Sequence, residues 1–246
     1  MFDYKIENKK DYEEILKDLQ LLSKNETIED HERHIAILNT KQKVIAISMA
    51  NIRKFAKKIF KAGYEKFLEI SLSNNFHDEF YEETLIQGLV IAEIKDLEKQ
   101  KEYFKKWMHK IDNWSTCDTV VSTMKGLKNS KDKNKHFEFY HSLCFDKGEF
   151  VSRFGIIVLM TCFLEDAFID KILEMCEMMK SDAYNVNMAL ACLLSFSFMK
   201  FKEKTYELLN KKTLSKFVQN KAISKCRDSF RVDKQDKENL IKFRIK

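Results

Sequence analysis

A tryptophan and an aspartate four residues apart are the pair of side chains in this sequence best suited to chemistry. Trp114 and Asp118 occur in the segment IDNWSTCDTVVST. On an α-helix, positions i and i+4 share a face, so the indole and the carboxylate would point into the same space. That arrangement suits a cationic ring and a developing positive charge, because both groups attract cations.

The same segment has a simpler structural interpretation. Ser115 and Asp118 fit the S/T-x-x-D pattern, a relaxed capping box in which Ser115 caps the helix and Asp118 reaches back to its backbone. Trp114 would then be an ordinary residue packed at the start of the helix. Spacing alone favours this interpretation, since helix caps are far commoner than catalytic sites.

Arg153 is a second candidate, at the head of the apolar run FVSRFGIIVLM. A buried guanidinium needs a partner or an anion. An internal salt bridge is the default explanation, and a phosphate is the alternative, because the donor fork fits phosphate oxygens.

Other familiar sites are without support. The histidine pairs His31/His34 and His136/His141 lack the H-E-x-x-H spacing and have no nearby cysteine, so we predict no metal site. No phosphate-binding glycine loop, nucleophile elbow or deaminase signature is present. The six cysteines are far apart and form no C-x-x-C pair, as in a reduced cytoplasmic protein.

The elements that position these residues are predicted to be helices throughout. The sequence has no proline and only 5 glycines, and its apolar residues recur at helical spacing. We expect an all-α fold, an α-α superhelix of about six HEAT-like hairpins, with residues 1–246 forming one solenoid domain. A compact orthogonal bundle is the alternative.

Two apolar stretches, 154–164 and 188–199, are predicted to be helices buried on most sides. Both are too short to span a bilayer, which takes about 20 residues. The N-terminal segment MFDYKIENKKDYEE contains no apolar run of the signal-peptide type. We therefore predict a cytoplasmic protein that does not associate with membranes.

Positive charge is concentrated at the C-terminal end of the sequence. The net charge is +6, and residues 201 to 246 carry 14 basic and 6 acidic side chains. Such a gradient favours a polyanionic partner, either nucleic acid or an anionic membrane surface, although a lysine-rich solvated face gives the same count. Lys221, Lys225, Arg227 and Arg231 are the candidate DNA contacts, and a solvated amphipathic helix with internal ion pairs is the alternative.

Several segments together resemble the bacterial AlkD-like DNA alkylation repair family. They are NWSTCD (113 to 118), FVSRFGIIVLM (150 to 160), YNVNMALACLLSFSFMKF (184 to 201) and NKAISKCRDSFRVDKQDK (220 to 237), with AISMANIRKFAKK and FYEETLIQGLVI earlier in the chain. The resemblance implies a HEAT-like superhelix with a basic concave face for duplex DNA. It also implies hydrolysis of the N-glycosidic bond of N3- or N7-alkylated purines, without a cofactor.

The resemblance also assigns roles to individual residues. By matching position, Trp114 and Asp118 correspond to the active-site tryptophan and carboxylate of the family, and Arg153 to its arginine at the DNA backbone. Cys192 stands where the family usually has a second tryptophan, and Ser195 where some members have a further arginine. One aromatic wall of the cleft is therefore missing.

The sequence thus predicts a monomeric alkylpurine DNA glycosylase acting on duplex DNA with alkylated bases. Two alternatives come from other classes. The replacement at Cys192 would also suit a DNA-binding solenoid without catalysis. A HEAT-like scaffold for protein partners is the third possibility.

Overall fold

The computed structural model describes residues 5–22, 28–73 and 78–246. About 73% of the described residues are helical, and these residues contain fourteen α-helices and no strand. The predicted all-α, helical-repeat fold is therefore confirmed. Among these residues, no helix is both long enough and apolar enough to cross a bilayer.

The chain divides into two compact units, Met1–Leu127 and Lys128–Lys246. That residues 1–246 form a single solenoid domain stays a prediction. The first unit contains α1 (Lys9–Leu21), α2 (Ile28–Leu38), α3 (Met49–Ser71), α4 (Tyr81–Ala92), α5 (Leu97–Trp107) and α6 (Trp114–Thr123), and α7 (Lys125–Lys128) crosses the boundary. The second contains α8 (Asn134–Leu143), α9 (Glu149–Cys162), α10 (Ile169–Met178), α11 (Tyr184–Lys200), α12 (Lys202–Lys211), α13 (Lys216–Asp228) and α14 (Lys234–Leu240).

Helix α4 is the centre of the first unit. All of its residues are buried, and it packs against α3, α5 and α6. The fully buried indole of Trp107, at the end of α5, donates a hydrogen bond from Nε1 to the carbonyl oxygen of Thr84 over 2.8 Å. This contact fixes α5 on α4, and α6 then lies against the same central helix.

A buried carboxylate in α4 organises the segment before α3. Glu82 accepts hydrogen bonds from the backbone nitrogens of Ile45 at 3.0 Å and Ala46 at 2.9 Å. Burial raises the pKa of Glu82, and the backbone donors oppose that rise. Ala46 has a positive φ of 64°, which is costly for a residue with a Cβ. The hydrogen bonds to Glu82 help to hold this conformation.

Helix α3 bends in its second half. Gly63 lies inside the helix with a φ of 139°, which residues with side chains rarely adopt. Before the bend, Ile52, Phe55 and Ile59 are buried. The spacing of these apolar residues therefore predicts the buried face of a helix correctly.

The second unit is built around α9 and α11. Helix α11 packs against α9 and α13, and α8 covers α9. The two apolar stretches predicted to be buried lie largely within these central helices, and most of their side chains are buried. That prediction is therefore confirmed.

Candidate active site

The helix that carries Trp114 and Asp118 begins at a well-anchored cap. Asn113 precedes α6, and its Oδ1 accepts a hydrogen bond from the backbone nitrogen of Thr116 over 2.9 Å. Its Nδ2 donates to the carboxylate of Asp112 over 2.9 Å. Asp112 in turn accepts hydrogen bonds from the hydroxyl of Thr40 and from the backbone nitrogen of Lys41. The start of α6 is therefore tied to the segment that follows α2.

The capping box predicted from Ser115 and Asp118 is wrong. Asn113 caps α6 with its own side chain, which makes Trp114 the first helical residue and Ser115 the second. The hydroxyl of Ser115 lies 3.3 Å from that of Tyr81 on α4. Asp118 is thus not needed for the cap.

The indole of Trp114 is held by one hydrogen bond, and much of its surface is exposed to solvent. Its Nε1 donates a hydrogen bond to the carbonyl oxygen of Ile37 near the end of α2, over 3.2 Å. The residue nevertheless remains 41% exposed. A large aromatic side chain that is oriented by one hydrogen bond and still reaches solvent is suited to pack against a ligand.

Asp118 lies one helical turn beyond Trp114 and is half-buried. The two side chains therefore share a face of α6, as the spacing predicts. Between them, Thr116 and Cys117 are buried and hold the opposite face against the unit's interior. This arrangement presents an indole and a carboxylate together at the surface of the first unit.

Arg153 lies in α9 of the second unit and is only 5% exposed. Its Nη1 donates to the carbonyl oxygen of Asn185, over 2.9 Å. Glu149, one turn earlier on α9, accepts hydrogen bonds from the backbone nitrogen and from Nδ2 of the same asparagine, both at 2.9 Å. These contacts align α9 with the start of α11. Contact between Arg153 and the DNA backbone stays a prediction.

The two departures from the family pattern lie on α11. Cys192 is half-buried, whereas the other five cysteines are buried. Ser195 is 5% exposed, and its hydroxyl donates to the carbonyl oxygen of Cys192 over 2.7 Å. A short serine bonded to its own helix therefore occupies the position where some members have an arginine.

The C-terminal cations are solvated. Lys221 and Arg227 are exposed on α13, Arg231 is exposed after it, and Lys225 is half-buried. Across 5–22, 28–73 and 78–246, none of the four forms an ion pair. The alternative in which Arg227 and Arg231 pair with nearby acids is therefore wrong for the described residues. Their contact with DNA stays a prediction.

The other His, Cys, Asp and Glu side chains that the structure describes can be compared with the donor sets of metal sites. In the described part of the chain, no three His, Cys, Asp or Glu side chains are grouped to hold a metal ion. The side chains of His31 and His34 lie outside the described residues. Burial raises the pKa of the Cys162 and Cys226 thiols to about 12, which leaves them protonated and unreactive.

Sequence reasoning did not single out Asp112 and Asn113, although both determine how α6 is held. Asparagine is as good an N-cap as serine, so its presence two residues before Ser115 was the available signal. Two partners of Asp112, Thr40 and Lys41, lie more than 70 residues earlier in the chain, and no local pattern reveals them.

Comparison with known families identifies the family of the chain. A family model described as DNA alkylation repair enzyme matches residues 15–195. The matched region contains Trp114, Asp118, Arg153, Cys192 and Ser195, and it ends before the C-terminal cations. No curated protein and no solved structure matches the chain significantly. Because the family model covers well over half of the sequence, the chain belongs to the DNA alkylation repair enzyme family.

Proposed function

We propose that this protein is a DNA glycosylase that hydrolyses the N-glycosidic bond of N3- or N7-alkylated purines in duplex DNA. The observation that carries the proposal is the exposed indole of Trp114 beside the half-buried carboxylate of Asp118, on one face of α6. Membership of the DNA alkylation repair enzyme family supports the substrate class.

The chemistry requires little beyond a well-placed negative charge. An alkylated purine of this kind is already cationic, so it leaves without prior protonation. As the bond between C1′ and the purine nitrogen breaks, its electron pair goes to the base and neutralises it, while positive charge develops on the sugar. The carboxylate of Asp118 stabilises that oxocarbenium-like sugar, as carboxylates do in glycoside hydrolysis.

Water completes the reaction. A water molecule adds to C1′ and gives up a proton, and Asp118 is the group on this face that orients the water and accepts the proton. The new C1′–O bond leaves an abasic sugar and a free neutral base. The chain needs no bound metal or cofactor for these steps.

Trp114 contributes binding rather than proton transfer. Its ring packs against the cationic lesion or the deoxyribose, and a cation–π contact of this kind contributes about 0.5 to 2 kcal/mol. The hydrogen bond from Nε1 to Ile37 holds the ring in place before DNA arrives. The orientation is therefore set by the fold, which limits the entropy lost on binding.

The test of the proposed function is release of free base from a duplex that contains one 7-methylguanine or one 3-methyladenine, followed by chromatography. We expect free base and an abasic strand in a 1:1 ratio, with no release from unmodified duplex. Absence of free base from both lesions, with protein in excess over DNA, would contradict the proposal.

A second candidate function is DNA binding without base excision, and Cys192 favours it. The family resemblance places an aromatic residue at this position, and a half-buried cysteine supplies much less contact surface. In this case the protein would bind duplex DNA with an affinity that falls as salt rises, and would release no base.

Replacing Cys192 with tryptophan distinguishes a weakened site from a lost one. If the site is weakened, we expect Cys192→Trp to raise base release by about 3- to 10-fold, the range of a restored aromatic contact of about 1 kcal/mol. Cys192→Leu is the matched control, because it adds apolar volume without an aromatic face. No base release from the wild type or from either variant, with DNA binding retained, would favour the non-catalytic function.

A further inference from the structure

A cavity of about 530 Å³ opens in the first unit at the C-terminal end of α6. Its floor is apolar, formed in part by Ala56, Leu89 and Ala92, and its rim carries basic side chains. Arg53 and Lys57 reach it from α3. The volume lies within the range of ligand-binding pockets.

Arg53 is held in place at this cavity. It is half-buried, and its Nη1 donates to the hydroxyl of Thr123 at the end of α6 over 2.7 Å. That hydroxyl donates in turn to the carbonyl oxygen of Thr119 over 3.1 Å. A guanidinium has five N–H donors in a planar fork, so one hydrogen bond fixes its position and leaves donors for a ligand.

The rim of the cavity carries more basic than acidic side chains. Lys57, Lys95 and Lys125 are exposed, and within the three described ranges none of them forms an ion pair. Glu93 is the one acidic residue among those that line the cavity. With Arg53 included, the cavity carries an excess of three positive charges, which favours an anionic ligand.

We propose that this cavity binds a phosphate of the DNA backbone, an inference that rests on the proposed function for its choice of DNA. Ser122 lines the cavity and lies one turn beyond Asp118, about 6 Å along the helix axis. DNA whose sugar faces Asp118 therefore passes close to the cavity. A fixed arginine with flexible lysines around it is a common arrangement for phosphate binding.

The rim of the cavity is open to solvent at Gly126. At Gly126 an added Cβ would meet nothing within 4 Å, so the rim is open on that side. A DNA backbone can therefore approach from that side and place one phosphate among the cations. A free phosphate or a mononucleotide shares the same chemistry, and the experiment below separates the two sources.

The test is the salt dependence of binding to unmodified duplex DNA, measured by fluorescence anisotropy. The triple variant Lys57→Met, Lys95→Met, Lys125→Met removes the three rim lysines. The matched control is Lys54→Met, Lys61→Met, Lys106→Met, which removes three exposed lysines of the same unit that do not line the cavity. All six positions are at the surface, so both variants should fold, and thermal unfolding checks this.

We expect the slope of log K against log salt to lose about 0.9 for each rim lysine that contacts a phosphate. The control should keep the wild-type slope. Equal slopes in the two variants would overturn the proposal. A second outcome would also overturn it: the rim variant keeps the wild-type slope but no longer binds inorganic phosphate in a calorimetric titration. That result would assign the cavity to free phosphate. This experiment measures DNA affinity and not base release, so its result holds even if Asp118 proves not to be catalytic.

Discussion

Replacing Asp118 with asparagine is expected to lower base release from 7-methylguanine duplex by roughly 10² to 10⁴-fold, the usual contribution of a group that moves a proton or stabilises charge in the transition state. Asparagine has nearly the same size and shape as aspartate but no charge. It cannot stabilise a cationic sugar or accept a proton from water. Affinity for DNA should change little, since the proposed contacts with the phosphate backbone come from basic residues.

The cap of α6 does not depend on Asp118. Asp118 lies in the second turn of α6, and the cap of that helix is supplied by Asn113. The loss of a carboxylate at position 118 therefore does not remove the cap. We expect circular dichroism and thermal unfolding of Asp118→Asn to be close to those of the wild type.

Asp112→Asn is the matched control for that experiment. Asp112 undergoes the same chemical change, six residues earlier, and its carboxylate holds the hydroxyl of Thr40 and the backbone nitrogen of Lys41. We expect this variant to lose stability by about 1 to 3 kcal/mol, because hydrogen bonds to a charged group are weakened. Below its unfolding temperature it should still release base. Wild-type turnover in Asp118→Asn would remove Asp118 from the mechanism.

The fold class could be predicted because its signals are local. Without proline, and with apolar residues at helical spacing, the chain has few alternatives to helices, and the apolar runs within α9 and α11 are buried as expected. Placement of Trp114 and Asp118 on one face follows from helix geometry in the same way. These features depend on residues within one or two turns of each other.

The predictions that needed distant partners could not be made from the sequence. Spacing alone favours Ser115 as the cap of α6. In the structure Asn113 is the cap, and its side chain donates to Asp112, which in turn contacts Thr40 and Lys41. Arg153 donates to the backbone carbonyl of Asn185, and no pattern of residue types encodes a carbonyl oxygen.

The burial of two carboxylates in α4 could not be predicted from the sequence either. Glu82 and Glu83 look like the solvated first turn of a helix, where carboxylates are common. Both are buried, because the backbone nitrogens of Ile45 and Ala46 and the hydroxyl of Tyr12 supply hydrogen bonds from elsewhere in the unit. Burial of a charged group depends on such partners, and the partners depend on the tertiary fold.

Gly88→Ala is expected to destabilise the protein by about 2 to 3 kcal/mol, a typical cost of overpacking a core. A Cβ at position 88 would lie 2.7 Å from Cε2 of Trp107 and 2.6 Å from Cγ2 of Val120. Both side chains are fully buried, so neither can turn away into solvent. For a chain of this length, the unfolding temperature should fall by roughly 5 to 10 °C.

Gly88→Ala should also lower base release in the folded protein. The reason is that Val120 belongs to α6, the helix that carries Trp114 and Asp118. To make room for the methyl group, both α5 and α6 must move away from α4, and Asp118 and Trp114 move with α6. Misplacement of a catalytic group by about 1 Å can cost 10²-fold in rate, so base release below the unfolding temperature should drop by at least 10-fold. Gly126→Ala is the control: its Cβ would meet nothing within 4 Å, and alanine favours the helix, so stability should be unchanged or slightly higher. If Gly88→Ala unfolded at the wild-type temperature, the close packing of α4 against α5 and α6 would not be what positions Asp118.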